Sequence, residues 1–182
     1  PGYINSESYH TGMLWALENL AWMPEHLSSA TSILAGLTAK DPGGQLANRP
    51  ANSLTEIFKA WHPQTFSSPE ARTEALKTIV RKYPDVGHTL LVQLLPSSHG
   101  IAHETHKMRW RLSESPRSTG IAYDEIYKAY GATLDLLIEH FDNSEEQFKK
   151  LVEVSDNLEH FERQRLLDFL ETKISEVKFT TT

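Results

Sequence analysis

The stretch Tyr123-Asp124-Glu125-Ile126-Tyr127-Lys128-Ala129-Tyr130-Gly131-Ala132-Thr133-Leu134-Asp135-Leu136-Leu137-Ile138-Glu139-His140-Phe141 decides the fold class. Tyr123, Ile126, Tyr127, Tyr130, Leu134, Leu137, Ile138 and Phe141 return every three or four positions, the period that lines one face of an α-helix, over about six turns without a proline. A half-buried strand would alternate with period two, and no segment does so for long enough to argue one. Downstream, Asp142-Asn143-Ser144 has the oxygens to cap a further helix carrying Phe148, Leu151 and Val152. Asp156 or Asn157 is expected to cap the last helix, which carries Leu158, Phe161, Leu166, Leu167, Leu170, Ile174 and Val177.

Upstream the same period recurs between breakers. Met13, Leu14, Leu17, Leu20 and Ala21 form one stripe, with Trp15 and Trp22 on one side; past Pro24, Leu27, Ala30, Ile33, Leu34 and Leu37 form another. Asp41-Pro42-Gly43-Gly44 and Asn48-Arg49-Pro50 read as loop, since proline locks φ and glycine permits positive φ. Ser53-Leu54-Thr55-Glu56 has capping-box spacing ahead of Ile57, Phe58 and Trp61, a short helix that Pro63 ends. Ser67-Ser68-Pro69-Glu70 starts a fourth helix with Ala71, Ala75, Leu76, Ile79 and Val80. Tyr83-Pro84-Asp85 starts a fifth, dense in Leu90, Leu91, Leu94 and Leu95. The expected fold is all-α: about eight helices in antiparallel pairs, either α-solenoid-like and right-handed or an irregular helical bundle, with no residue-level repeat of fixed period.

With 182 residues, 39% hydrophobic, the chain suits a single helical domain: N-terminal helices over 1–95, a long basic His-rich loop over 96–118 and C-terminal helices over 119–182. It opens on Pro1-Gly2-Tyr3, and a piece of a larger protein is expected. A net charge of −6 gives long-range attraction the wrong sign for a general nucleic-acid or anionic-membrane binder. Having no cysteine, the chain has no disulfide framework, thiol nucleophile or cysteine metal site. No apolar run reaches the roughly 20 residues of a membrane span, and a cytoplasmic location is expected. Residues 1–95 carry seven basic and eight acidic residues, 96–118 four and two, and 119–182 seven and fourteen, so the C-terminal third holds the excess acid. That acid is the solvated face of helices, or a surface that selects a basic partner or docks the basic loop.

Candidate chemistry concentrates in residues 96–118, a loop long enough to suggest function or disorder. His99, His103 and His106, with Glu104, have metal-ligand chemistry, and spacings of four and three would share one face if the segment were helical. His103-Glu104-Thr105-His106 is one residue too short for the zincin motif, and Pro96 and Gly100 oppose a rigid helix. Imidazoles that cap backbone groups or face solvent are therefore favoured over a metal-dependent hydrolytic enzyme. Arg109-Trp110-Arg111 brackets an indole with two guanidinium groups, suited to anchoring a protein partner or to pinning the loop to the body. Glu18 with Glu25, and Asp135 with Glu139, could pair on helix faces, but acids at helical spacing are usually solvated. Phosphate-loop, dinucleotide and nucleophile-elbow signatures are missing, so neither catalytic residue nor cofactor is expected. The contact residues expected from inter-helix loops are Arg49, His62, His106, Arg109, Trp110 and Arg111.

Five pieces of spelling carry a resemblance: Trp15-Ala16-Leu17-Glu18-Asn19-Leu20-Ala21-Trp22, Asp41-Pro42-Gly43-Gly44, Ala47-Asn48-Arg49-Pro50, Trp61-His62-Pro63-Gln64-Thr65, and Thr105-His106 with Arg109-Trp110-Arg111. Together, over roughly residues 10–112, they resemble a helical segment of large bacterial multidomain proteins of uncharacterised or defence-associated type, including ones similar to STAND NTPases and antiphage sensors. The resemblance implies a recognition or scaffold role, with a nucleotide switch and an effector elsewhere in the chain, and a protein or another domain of the same chain as partner.

Overall fold

The structure, a computed structural model, describes residues 9–44, 48–97, 100–108 and 121–177. They form eight helices: α1 (Tyr9–Ala21), α2 (Leu27–Thr38), α3 (Pro50–Phe58), α4 (Pro69–Lys82), α5 (Pro84–Leu94), α6 (Tyr123–Glu139), α7 (Glu145–Ser155) and α8 (His160–Lys173). Among the described residues there is no strand, and no helix is long and apolar enough to cross a membrane.

Every helix from α1 to α6 packs on the helix two places further along, and sequential neighbours pack for most of the chain. Odd-numbered helices thus form one layer and even-numbered helices the other, and the stack advances along the sequence. Among the described residues no substantial contact joins helices more than three apart. That is the contact pattern of stacked helix pairs, in which each unit meets only its neighbours. The shared core runs from Leu14, Leu17 and Leu34 through Ile57, Ile79 and Leu91 to Leu137, Leu151 and Leu166, all buried.

Helix starts follow local chemistry where the cap residue is free to act. Ser68 Oγ accepts the Ala71 amide at 3.3 Å with Pro69 in the first turn, and Ser144 Oγ accepts the Gln147 amide at 3.2 Å. Elsewhere the structure departs from expectation. The Ser53–Glu56 capping box does not form: α3 starts at Pro50, three residues earlier, so both side chains fall inside the helix and are buried. α8 starts at His160 rather than after Asp156 or Asn157, and Asp156 instead meets Arg163 at 2.8 Å. α6 stops at Glu139 and Phe141 packs beyond its end, T-shaped against Phe169. Of the expected stripes, Met13, Leu20, Ile33, Tyr123, Tyr127, Val152, Phe161 and Ile174 are exposed, while Thr11 and Glu18 on α1 and Thr31 on α2 are buried.

His88, on α5, is buried and its Nε2 has no hydrogen-bond partner. Burial pushes its imidazole below the ordinary value of 6.5; Lys150 acts in the same direction, while Asp142, Glu146 and Asp85 oppose it. The unfolded chain therefore takes up this proton more readily than the folded one, so the proton-linked penalty of His88 is absent well above pH 6.5 and lowers stability as the pH falls below it. Thermal midpoints measured between pH 7.5 and pH 5.5 should drop more steeply for the wild type than for His88→Leu; parallel profiles would show that His88 is not desolvated in the fold.

Candidate functional site

Between α3 and α4 the chain turns sharply through residues 59–67. The Gln64 amide donates to Ile57 O at 3.1 Å and the Phe66 amide to Trp22 O at 3.0 Å, tying the turn to the ends of α3 and α1. The Thr65 hydroxyl donates to Ser67 Oγ at 3.0 Å and accepts the Ser67 amide at 3.2 Å. This leaves Gln64, only 1% exposed, with its carboxamide free for something else.

That something is the segment 100–108, which is non-helical and crosses the turn, α3 and α1 as a strap. Lys59 Nζ donates to Ile101 O and pairs with Glu56 Oε1 at 2.5 Å, while Glu56 Oε2 accepts the His103 amide at 2.9 Å. Gln64 Oε1 accepts both the amide and the hydroxyl of Thr105 at 3.3 Å, and its Nε2 donates to His103 O at 3.4 Å. Trp22 Nε1 donates to the Thr105 hydroxyl at 3.1 Å. Glu18 Oε2 accepts the His106 amide at 2.8 Å and meets His106 Nδ1 at 2.7 Å, while Glu18 Oε1 accepts the Ser53 hydroxyl at 2.6 Å. The His106 ring stacks on Trp15 with centroids 4.3 Å apart. Finally, Lys107 Nζ lies 4.3 Å from the Trp22 ring centroid and 4.7 Å from that of Phe66, a cation against two aromatic faces.

The electrostatics explain why these partners come as a set. Glu18 and Glu56 are buried, and a buried carboxylate is tolerated only when donors surround it. Glu18 has three partners, the Ser53 hydroxyl and the amide and ring Nδ1 of His106. Ser53 and Glu56, one turn apart on α3, serve this groove rather than a helix start. One turn earlier Arg49, the residue before α3, pairs with Asp41, and the guanidinium holds that carboxyl below its ordinary range. Gly43 and Gly44, both at positive φ, let the loop close so that Gly44 lies against the Arg49 side chain.

The contact residues expected from sequence are thus distributed unevenly. His106 sits at the centre of the groove, and Arg49 lies one helical turn from Ser53, with its carbonyl within 3.4 Å of the Ser53 hydroxyl. His62 is exposed beside Trp61, near Gly100 at the opposite end of the strap. Arg109, Trp110 and Arg111 lie outside the described residues, as does His99. The helical geometry that would have aligned His103 and His106 is not present, and among the described residues no group of three His, Asp or Glu could hold a metal ion. The described part of the basic loop does not dock on the acidic C-terminal third; it lies on α1 and α3, over two buried acids. Asp135 pairs with Arg165 rather than with another acid.

Sequence reasoning missed Glu56, Gln64, Trp22 and Thr105 as site residues and considered Glu18 only as a surface acid. A signal was nevertheless present: four of the five distinctively spelled pieces contribute to or adjoin the groove, through Trp15, Glu18 and Trp22, through Asn48 and Arg49, through Gln64, and through Thr105 and His106; the fifth, by Asp41, anchors Arg49. In comparisons with known proteins the chain matches no family model, no curated protein and no solved structure, so its function is argued from this groove.

Proposed function

We propose that the chain is a non-catalytic helical scaffold or recognition module of a larger bacterial protein, cytoplasmic, contacting a protein partner or another domain of its own chain, in the antiviral-defence setting that the resemblance to STAND NTPase-like proteins implies. The observation that supports this reading is the strap: three buried polar side chains, Glu18, Glu56 and Gln64, are devoted to holding the backbone of residues 103–106 in one register. A helix stack does not need such a network to close its core, whereas a recognition groove needs polar side chains of this kind to hold a peptide backbone. The sequence that follows the strap, Arg109-Trp110-Arg111, has the guanidinium and indole groups that dominate protein interfaces.

Arg109→Ala with Arg111→Ala tests the reading. A partner crosslinked to the wild-type chain and identified by mass spectrometry should lose capture by about tenfold or more on the double variant, the size expected for interface anchors. The melting temperature should stay within about 2 °C, as for surface changes. A large drop in melting temperature would mean that the arginines pin the loop, and partner capture unchanged in the variant would remove them from the contact. Stoichiometric metal found by elemental analysis would favour the metal-dependent hydrolytic alternative.

A further inference from the structure

We propose that the groove formed by α1, α3 and the 59–67 turn is a receptor for extended, lysine-bearing polypeptide, which residues 101–107 fill in cis and which a partner segment of the same chemistry takes over. This rests on the recognition reading above and names the class of partner. The strap itself displays the ligand chemistry. Its amides at His103, Thr105 and His106 meet Glu56, Gln64 and Glu18, backbone contacts that a peptide of another sequence could make along the same path. Two side chains add selectivity. The Thr105 hydroxyl both donates to Gln64 and accepts from Trp22, and Lys107 lies against the Trp22 and Phe66 rings. The groove therefore favours a hydroxyl residue two positions before a lysine.

The strap is attached in a way that permits exchange. None of its described residues belongs to the hydrophobic core; Ile101, His103, Glu104 and His106 are exposed, and Thr105 alone is buried. Its departure gives up the ring contacts of His106 and Lys107 but no core packing, and leaves Glu18, Glu56 and Gln64 without their backbone donors, so the groove favours a replacement occupant that carries amides at the same spacing. Tethering gives the strap a high effective concentration, so a partner sees an affinity reduced by the small fraction of chains whose groove is open.

Two measurements test this. In the intact chain, the amides of His103, Thr105 and His106 should exchange hydrogen about 100-fold faster than those of Leu34 and Ala35 in α2, through an opening smaller than global unfolding; protection equal to the core would overturn the proposal. Second, a synthetic peptide spanning Gly100 to Met108 is titrated calorimetrically into the wild type and into Thr105→Pro, which removes the amide that Gln64 holds. The peptide should bind Thr105→Pro at least about tenfold more tightly than the wild type, since strap competition is relieved. Lys107→Ala in the peptide should weaken binding about fivefold, and Gln64→Ala in the receptor should abolish it. No binding to Thr105→Pro, binding indifferent to Gln64→Ala, or loss of helical dichroism in Thr105→Pro would each overturn it. These readouts are independent of capture through Arg109 and Arg111, so either proposal can fail alone.

Discussion

Gly87→Ala is expected to destabilise the chain by about 1–3 kcal/mol, the range for overpacking, although alanine is the better helix former. Gly87 lies on α5, and a Cβ placed there would fall 2.6 Å from Val80 Cα and 3.0 Å from Val80 Cγ2 on α4. Intrinsic propensity favours the substitution by up to about 1 kcal/mol. It loses because the obstructing atom is backbone, which cannot rotate aside, so α4 and α5 must separate and open the contact around Leu76, Ile79 and Leu91. Gly131 on α6 is the control: a Cβ there meets nothing within 4 Å, and Gly131→Ala should stabilise by about 0.5–1 kcal/mol. Urea midpoints moving in opposite directions for the two variants is the expected result; a neutral or stabilised Gly87→Ala would mean that the α4–α5 contact is looser than described.

The contrast between those two glycines is also a contrast in what a sequence can disclose. Both sit in helical patterns, and only the packing of α5 on α4 tells them apart. Helix existence was readable because it depends on local terms: the period of Tyr123 to Ile138, the cap at Ser68 and the cap at Ser144 are all settled within a turn or two. Where local and tertiary terms compete, the reading failed. Ser53 and Glu56 satisfy the spacing of a cap, but Pro50 offers an earlier first turn and Glu18 offers the Ser53 hydroxyl a better acceptor, so the cap was given up. Ile33 keeps the helical period yet faces outward, because periodicity defines a stripe without fixing which edge of it the neighbours cover.

The groove was least legible of all. Its bonds join residues 41, 47 and 88 positions apart, and the types involved, Glu, Gln and Thr, are those that ordinarily sit on surfaces. The sequence marks His106 as a contact residue, and as a solvent-facing imidazole or one metal ligand among three; its partners in the fold, Glu18 and Trp15, come from the first helix. The described part of the loop makes a polar network with α1, α3 and the turn between α3 and α4, but nothing in its composition identified the surface that receives it.

Glu18→Ala carries the second large expectation: a loss of about 1–3 kcal/mol, the cost of leaving buried polar groups unpaired, together with faster exchange at the His106 amide. Glu18 is 6% exposed and is the common acceptor for Ser53, the His106 amide and the His106 ring. Removing it leaves the buried Ser53 hydroxyl only the more distant Arg49 carbonyl, at 3.4 Å, and takes the acceptor from the strap's amide at once. The reciprocal truncation is milder, because His106→Ala keeps the amide on Glu18 Oε2 and gives up only a ring whose side chain is 47% exposed, along with its stack on Trp15. The asymmetry itself is diagnostic. If Glu18 anchors the strap, Glu18→Ala costs clearly more than His106→Ala, Glu18→Gln falls between them, and the double variant Glu18→Ala with His106→Ala is less destabilised than the sum of its parts, by about 0.5–3 kcal/mol as for residues in one hydrogen-bond network. Equal and additive losses would instead assign the stability to the Trp15 stack and leave Glu18 as a buried acid whose donors could be replaced by water.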